Sequence, residues 1–349
     1  MTVKSLVKKM LGLQPWEPIQ GLQRLRRVNS FVKSRYALFK NKYPQWVIVE
    51  LTTRCNLQCT YCPRSQLVRE DRLPPDRTLP LKSYLDFLHK LWKINPRFAG
   101  QVIFGGMGEP TLYGKEGFQH VLKSTKLVFP NCETVLMTNG ITLTNMAFVL
   151  IGTLDVLSVS LNTFNAETYR KLNRVDAFKK VTENMEQFLT IKGSSKPATK
   201  IQILLMDVNK PVYESFLEHW KPLLNSNDSL VFERFHNFGG QINVSQFSSN
   251  TLKASLKPCI ELFESLYVLS NGNLYPCCAG SVADCLDDEG GLLIGNIEDD
   301  LKQVFNGQKL QRLRTLHKQD RQHEVLACAS CDMWKGKGNA FLKIGGKWR

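Results

Sequence analysis

The stretch WVIVELTTRCNLQCTYC, residues 46–62, joins an apolar β-branched run to three closely spaced cysteines. Its first six residues predict a buried strand, because Val and Ile pack well on a pleated surface. Cys55, Cys59 and Cys62 follow at spacings of four and three residues, so a compact loop can direct all three thiols at one centre. Three thiolates without a nearby fourth ligand favour a cluster with one open corner, since structural zinc is normally closed by a fourth Cys or His.

Beyond this loop, apolar β-branched runs alternate with helical patterns. The further strands are predicted at 101–104, 134–137, 156–161, 201–206 and 230–235. The clearest helices are predicted at 81–92, 142–152, 176–192 and 211–224. In the first of these, Leu81, Leu85, Leu88 and Trp92 are expected to pack on the sheet. Six βα units in series predict a parallel sheet with right-handed crossovers, and therefore an α/β fold built as a partial (β/α)6 barrel over residues 45–240.

The residues with distinctive chemistry follow the ends of predicted strands. The cysteines follow the first strand, the segment GGMGEP at 105–110 follows the second, and Asn139 follows the third. In βα barrels the active site lies at the carboxyl ends of the strands. We therefore expect these three segments to meet.

Most of the other cysteines lie near the carboxyl end of the chain, after a polar linker that begins near residue 240. Four of these thiols have the spacing to close a second site, which the sequence alone leaves open between zinc and iron–sulfur: Cys259, Cys277, Cys328 and Cys331. Cys278 and Cys285 are then surplus. The isolated Cys132 is expected to be a structural thiol.

The CxxxCxxC spacing at Cys55, Cys59 and Cys62 resembles the signature of radical S-adenosylmethionine (SAM) enzymes. The resemblance implies that these cysteines hold a [4Fe–4S] cluster whose open iron is chelated by SAM. It also implies reductive cleavage of SAM to a 5′-deoxyadenosyl radical, which abstracts a hydrogen atom from the substrate. A flavodoxin or ferredoxin-type protein is the implied reductant.

The glycine-rich segment extends the resemblance. It is similar to the Gly-Gly-Glu element of the family, which implies that Gly106, Gly108 and Glu109 engage the SAM amino group. The chemistry agrees, because glycine permits close backbone approach and a carboxylate pairs with an ammonium group.

Other implied SAM contacts are spread along the barrel. Tyr61 fills the aromatic position before the last cysteine, which in the family lies beside adenine. Ser160 and Asn162 take positions where the family contacts the SAM carboxylate or ribose, although ordinary strand-end polar residues are the alternative interpretation. Met206 is a candidate for an apolar wall beside adenine.

The distal cysteines resemble the twitch module, a shortened SPASM extension that binds one auxiliary [4Fe–4S] cluster. The implied ligands are Cys259, Cys277, Cys328 and Cys331. The expected fold is thus a partial TIM-like barrel with a small carboxyl-terminal twitch/SPASM-like iron–sulfur module at 241–349, including a basic tail. Cys278 or Cys285 is a candidate hydrogen-atom donor; buried thiols or alternate ligands are the other interpretations.

The net charge of +15 is concentrated at the amino end. Residues 1–44 form a basic arm in which ten Lys and Arg face the single acid Glu17. The arm suits an anionic partner such as a phosphorylated substrate, nucleic acid or a membrane surface, or it is a solvated amphipathic helix. The sequence shows neither a membrane-spanning apolar run nor a signal-peptide pattern, so we expect a cytoplasmic protein.

Three functions follow as hypotheses. The first is a radical SAM enzyme that oxidises, epimerises or dehydrates a small polar molecule, such as a sugar, aminocyclitol or phosphorylated metabolite. It rests on a ligand spacing similar to that of aminocyclitol alcohol dehydrogenases of the twitch type. The second is a radical SAM enzyme that crosslinks or epimerises a ribosomal peptide. The third, from a different class, is a zinc-stabilised nucleic-acid-binding protein.

Overall fold

Ten strands form one sheet in the computed structural model, which describes residues 42–249, 258–283, 291–334 and 343–344. The strands are β1 (Trp46–Val49), β2 (Gln101–Phe104), β3 (Glu133–Thr138), β4 (Val156–Asn162), β5 (Ala198–Leu204), β6 (Ser229–Glu233), β7 (Ser265–Val268), β8 (Asn273–Tyr275), β9 (Gly295–Asn296) and β10 (Lys343–Ile344). The basic arm, apart from residues 42–44, and Cys285 lie outside the described residues.

The helices alternate with the strands as the sequence predicts. They are α1 (Pro63–Arg69), α2 (Leu81–Ile94), α3 (Lys115–Val128), α4 (Leu143–Leu150), α5 (Ala166–Asn173), α6 (Phe178–Lys192), α7 (Tyr213–Trp220), α8 (Glu261–Glu264), α9 (Ala279–Ala283), α10 (Leu301–Asn306), α11 (Gln308–Lys318) and α12 (Leu326–Ala329). None of these described helices has the length and hydropathy of a membrane span.

The sheet order is β10-β6-β5-β4-β3-β2-β1-β7-β8-β9. Strands β1 to β6 pair side by side in parallel, which confirms the six predicted βα units. The carboxyl-terminal module extends the same sheet, because β7 pairs in parallel with the free side of β1. This strand was not predicted from the sequence, because its short apolar run lies among the distal cysteines.

The strands divide the protein into a helix-packed face and an inner face. In β4, Leu157, Val159 and Leu161 belong to the main hydrophobic core, while Ser158 and Ser160 alternate with them on the opposite face. The inner face of the sheet is therefore partly polar.

The predicted packing face of α2 was partly wrong. Leu85 and Trp92 are 39% and 45% exposed, whereas Tyr84, Phe87 and Leu91 are buried with Leu88. Both sets have helical spacing, so periodicity alone did not distinguish them. Trp92 instead stacks on the imidazole of His89.

The amino edge of the sheet is held by ion pairs. Asp155, which directly precedes β4, pairs with Lys126 and Lys196, both at 2.6 Å, and accepts a hydrogen bond from Thr134 N. Burial alone would raise the pKa of Asp155, but these hydrogen bonds outweigh it and lower the pKa to about 2. This edge lies opposite the strand ends that carry the cysteines.

Candidate active site

The first three cysteines lie in the loop between β1 and α1, with free and partly buried thiols. Burial and the neighbouring charge of Glu109 raise the pKa of Cys55 to about 11. Burial also raises the pKa of Cys59, to which the charges of Cys62 and Cys55 add. The three sulfurs therefore lie within each other's electrostatic field. Three neighbouring thiolates would repel one another, so a bound cation is needed to hold them together. Ligation of a metal also releases the thiol protons.

The glycine-rich segment packs directly against the backbone that leads into this loop. A Cβ at Gly108 would overlap the carbonyl oxygen of Thr52, and Glu109 N donates to Arg54 O at 2.7 Å. Gly106 has φ of +135°, and a Cβ there would lie 2.8 Å from the Cβ of Glu50. Glycine is thus required sterically at both positions.

Glu109 is 3% exposed, and its carboxylate connects the end of β2 to the end of β3 through hydrogen bonds. Its Oε1 accepts hydrogen bonds from Thr111 N, Thr111 Oγ1 and Thr138 Oγ1, and its Oε2 accepts one from Asn139 N at 2.8 Å. Burial raises the pKa of this carboxyl despite the hydrogen bonds. Acceptor capacity remains on Oε2, which is what an ammonium ligand needs.

Asn139 completes the meeting of the three strand ends. Its Nδ2 donates to Asn56 Oδ1 at 2.7 Å, in the cysteine loop. The structure therefore brings together the three segments that follow β1, β2 and β3.

Tyr61 lies in a hydrogen-bonded and apolar environment. Its hydroxyl accepts a hydrogen bond from Asn162 Nδ2 at 2.8 Å and donates one to Asn173 Oδ1 at 2.7 Å. Its ring packs edge-on against Phe235 and shares a buried cluster with Met206. Three of the implied SAM contacts are thus adjacent: Tyr61, Asn162 and Met206. Ser160 is separate from this network, and its hydroxyl donates to Gln202 Oε1 at 3.2 Å.

Two buried residues at this site were missed from the sequence. Glu50, 2% exposed at the end of β1, accepts hydrogen bonds from Met107 N at 3.1 Å and from Ser270 Oγ at 2.7 Å. It thereby joins the glycine-rich segment to the turn after β7. An acid at the end of an apolar strand was the available signal for Glu50. Nothing in the sequence indicated a role for Asn173, because it has the pattern of an ordinary polar residue on a helix.

The distal cysteines meet in a second cavity. Its wall contains five thiols, those of Cys259, Cys277, Cys278, Cys328 and Cys331. Burial raises the pKa of Cys328 to about 12, with the charge of Cys331 adding to the shift. Burial also raises the pKa of Cys259 and of Cys277. Residues far apart in the sequence thus supply one thiol-lined cavity.

The loop that carries Cys328 and Cys331 is clamped to the segment after β6. Asn237 N donates to Asp332 Oδ1 at 3.0 Å, and Asp332 N donates back to Asn237 Oδ1 at 3.1 Å. A Cβ at Gly240 would clash with the Ser330 side chain. The segment HNFGG at 236–240 therefore fixes the second thiol site to the barrel.

The two thiol sites share one end of the molecule. Helix α9 directly follows Cys277 and Cys278, and its Val282 belongs to a small buried cluster with Met107 of the glycine-rich segment. The second site therefore sits beside the loop implied to bind SAM.

Both donor sets fit iron–sulfur clusters in number and type. The first supplies three thiols, and the second supplies at least the four that close a [4Fe–4S] cluster. Within the described ranges, no three or more His, Cys, Asp or Glu side chains converge closely enough for a single metal ion.

Comparison with protein families decides between the two radical SAM hypotheses, taken together, and the zinc-stabilised nucleic-acid-binding one. The model of the radical SAM superfamily matches residues 49–216, and that of an iron–sulfur cluster-binding domain, SPASM, matches residues 259–332. This chain is a radical SAM enzyme. The two domains imply a [4Fe–4S] cluster, SAM and an auxiliary iron–sulfur cluster. The zinc-stabilised nucleic-acid-binding hypothesis is thereby set aside.

Curated relatives of this radical SAM enzyme include GTP 3′,8-cyclases. That of Streptomyces coelicolor is 32% identical over 142 residues, which are 39% of this chain and 38% of the relative. That of Helicobacter pylori is 29% identical over 183 residues, 52% of this chain and 53% of the relative. The chain spans about two fifths to half the length of the curated relatives it matches.

Solved structures confirm the fold. The enzyme anSMEcpe with bound AdoMet has a TM-score of 0.58 at 19% identity, over 85% of this chain and 92% of that one. SuiB from Streptococcus suis, bound to the precursor peptide SuiA, has a TM-score of 0.57 at 16% identity, over 92% and 76%. BtrN with AdoMet and 2-DOIA has a TM-score of 0.51 at 17% identity, over 87% and 100%. These likenesses support the α/β partial barrel with a SPASM-type module.

Proposed function

We propose that this radical SAM enzyme transforms a small polar molecule by hydrogen-atom abstraction, giving oxidation, epimerisation or dehydration. In this proposal Cys55, Cys59 and Cys62 hold the SAM-binding cluster. The auxiliary cluster is held by Cys259, Cys277, Cys328 and Cys331. When bound, the first cluster and SAM supply the 5′-deoxyadenosyl radical.

The observation that carries the substrate class is the polar inner face of the sheet. Ser158, Ser160, Lys200, Gln202 and Glu233 alternate with the core residues of β4, β5 and β6. Hydroxyl, amide and charged groups on rigid strands suit a substrate rich in hydroxyl, amine or phosphate groups. The GTP 3′,8-cyclases, which are named for a nucleotide, support a small anionic substrate.

The chain's own residues would bind and orient SAM. The backbone around Gly106 and Gly108, with the Oε2 of Glu109, would take the amino group. Tyr61 and Met206 would contact the adenine, and Asn162, with Ser160 nearby, would contact the ribose or carboxylate. The partners would be the substrate and a flavodoxin or ferredoxin-type reductant. Free thiols throughout the described residues support a reducing, cytoplasmic setting.

Anaerobic reconstitution tests the cluster assignment, and substrate-dependent SAM cleavage tests the substrate class. We expect about eight irons per chain if two [4Fe–4S] clusters form. Reduced enzyme with SAM should release 5′-deoxyadenosine faster with one member of a panel of sugars, aminocyclitols and nucleotides. Stoichiometric zinc without iron would contradict the cluster assignment.

A peptide substrate is the second candidate, because SuiB was solved with its precursor peptide. In that case peptides, and not the small-molecule panel, would stimulate release of 5′-deoxyadenosine. The same panel with synthetic peptides added therefore distinguishes the two.

Cys278 is the proposed hydrogen donor if the reaction is an epimerisation. It lies in the second cavity, and its thiol contacts the hydroxyl of Tyr267. Product made in D₂O would then carry one deuterium, which Cys278→Ala would abolish. Unlabelled product would favour oxidation.

A further inference from the structure

Asn173, the last residue of α5, contacts the first cysteine loop with its backbone and its side chain. Its carbonyl oxygen accepts a hydrogen bond from Gln58 N at 3.1 Å. Its Oδ1 lies 3.1 Å from the Sγ of Cys59 and 2.7 Å from the hydroxyl oxygen of Tyr61. The side chain is 1% exposed, so water does not compete for these contacts.

The end of α5 is built to hold this residue in place. The neighbouring Leu172 carbonyl accepts a hydrogen bond from Thr60 N at 2.7 Å, so two successive carbonyls bind the loop. Arg174 follows in the left-handed region, with φ of +56°, and ends the helix there. The position of Asn173 relative to Cys59 is therefore set by the backbone and does not depend on the amide alone.

The direction of the Cys59 contact must reverse when Cys59 binds a metal. The thiol donates its proton to Oδ1 in the metal-free chain. A thiolate has no proton to donate, and the amide oxygen would then face a negative sulfur. Rotating the amide by about 180° brings Nδ2 to the same place, and its two hydrogens can serve both Cys59 and Tyr61.

Tyr61 can accept that second hydrogen bond. Its hydroxyl oxygen already accepts one from Asn162 Nδ2 at 2.8 Å, and a phenolic oxygen has capacity for another. The rotated amide is thus satisfied on both hydrogens. The Tyr61 proton, which loses Oδ1 as its acceptor, can turn to the sulfur of Cys59, with which the hydroxyl also interacts.

We propose that Asn173 is a positioning residue that donates a hydrogen bond to the ligand sulfur of Cys59, with Tyr61 fixing the orientation of its amide. The proposal rests on the proposed function, because it takes Cys59 as a cluster ligand. Hydrogen bonds to ligand sulfurs set the reduction potential of iron–sulfur clusters. Asn173 therefore makes the SAM-binding cluster easier to reduce.

The test is a redox titration of the full-length, reconstituted enzyme followed by electron paramagnetic resonance. The signal that changes on addition of SAM identifies the SAM-binding cluster. Asn173→Asp keeps the shape, removes the donor and adds a negative charge beside the sulfur. Asn173→Ser keeps one donor on a shorter side chain and adds no charge, so its shift reports the hydrogen bond alone. Asn165→Asp is the matched control, since Asn165 caps the other end of α5 by accepting from Thr168 N, which Asp also does.

We expect Asn173→Asp to make one-electron reduction about tenfold less favourable, which is about 59 mV for a one-electron couple. Asn173→Ser should give a smaller shift in the same direction, and Asn165→Asp should match the wild type. Tyr61→Phe should also lower the potential, non-additively with Asn173→Ser. If Asn173→Asp fails to take up the cluster, the potentials of Asn173→Ser and Tyr61→Phe decide.

Wild-type potentials in both Asn173 variants would overturn the proposal while leaving the cluster assignment intact. The proposed function fails differently, since the wild type itself would then show no SAM-responsive signal, or Cys59→Ala would retain it.

Discussion

The two thiol sites of this enzyme are built in opposite ways. The first takes its three cysteines from a single loop of eight residues, 55–62. The second draws its thiols from three segments, around Cys259, Cys277 and Cys328–Cys331. Both depend on β1, because the first loop follows it and β7 of the second module pairs with its other side.

The supports of the two sites differ accordingly. The first loop is surrounded by the ends of β2 and β3 and by the end of α5, which hold it through close backbone contacts. The second site depends on contacts between distant segments, such as the two reciprocal hydrogen bonds between Asn237 and Asp332. The first site therefore needs one loop and the strand and helix ends that surround it, whereas the second requires the whole module to dock.

Removing one thiol from each site gives the largest expected difference between them. Cys59→Ala should reduce release of 5′-deoxyadenosine to background, because under the proposed function the cluster that binds SAM loses a ligand. Cys331→Ala should keep the first cluster, about four irons and measurable SAM cleavage. Iron analysis and chromatographic detection of 5′-deoxyadenosine measure both.

Cys132→Ala is the control for that pair, since Cys132 is a buried thiol in the connection before β3 and lines neither site. It should retain about eight irons. Equal loss of SAM cleavage in Cys59→Ala and Cys331→Ala would show that the two sites are not independent.

A methyl group at Gly108 tests how tightly the first site is packed. Gly108→Ala should lower the free energy of unfolding by about 3 kcal/mol, because the added Cβ overlaps the carbonyl oxygen of Thr52 and backbone must move. Gly105→Ala is the matched change in the same segment, where the added Cβ would contact Met137 at an ordinary 3.4 Å. Denaturant unfolding of the metal-free proteins measures both, and equal losses would contradict the close-packing argument.

Asp332 tests the assembled character of the second site. Asp332→Ala removes the acceptor for Asn237 N, and loss of such supporting contacts typically costs about tenfold or more in metal affinity. The second cluster should therefore release iron to a chelator about tenfold faster, while the first is unchanged. Asp332→Asn keeps the acceptor and should stay close to the wild type; equal release by both variants would mean that the clamp does not matter.

The same contrast explains what the sequence could and could not predict. The meeting of the first three strand ends was predictable, because the strand, the cysteine spacing and the glycine segment are each local and occur at successive strand ends. Glu50 and Asn173 were not, since their role comes from neighbours up to 220 residues away, such as Ser270. The pairing of β7 with β1 was also not predictable, because the sequence of a short buried strand does not indicate which strand it pairs with. The clamp at Asp332 depends in the same way on a distant segment.

Asp155 provides the smallest effect and probes the edge of the sheet opposite both thiol sites. Its pKa of about 2, against an ordinary 3.8, means that folding favours the charged form. The stabilisation is present above pH 4 and is lost as the pH falls towards 2.

Allowing for solvent screening of this partly exposed group, Asp155→Asn should cost about 1 kcal/mol at pH 7 and less at pH 3. Asp86→Asn, which alters an exposed ion pair with Lys82, should cost less than Asp155→Asn at pH 7. Thermal unfolding at the two pH values measures both, and neither variant should change the iron content of either thiol site. A loss of iron in Asp155→Asn would show that the opposite edge of the sheet is coupled to the clusters. The stability of both thiol sites would then depend on the whole sheet, and not on whether each site is built from one loop or from several segments.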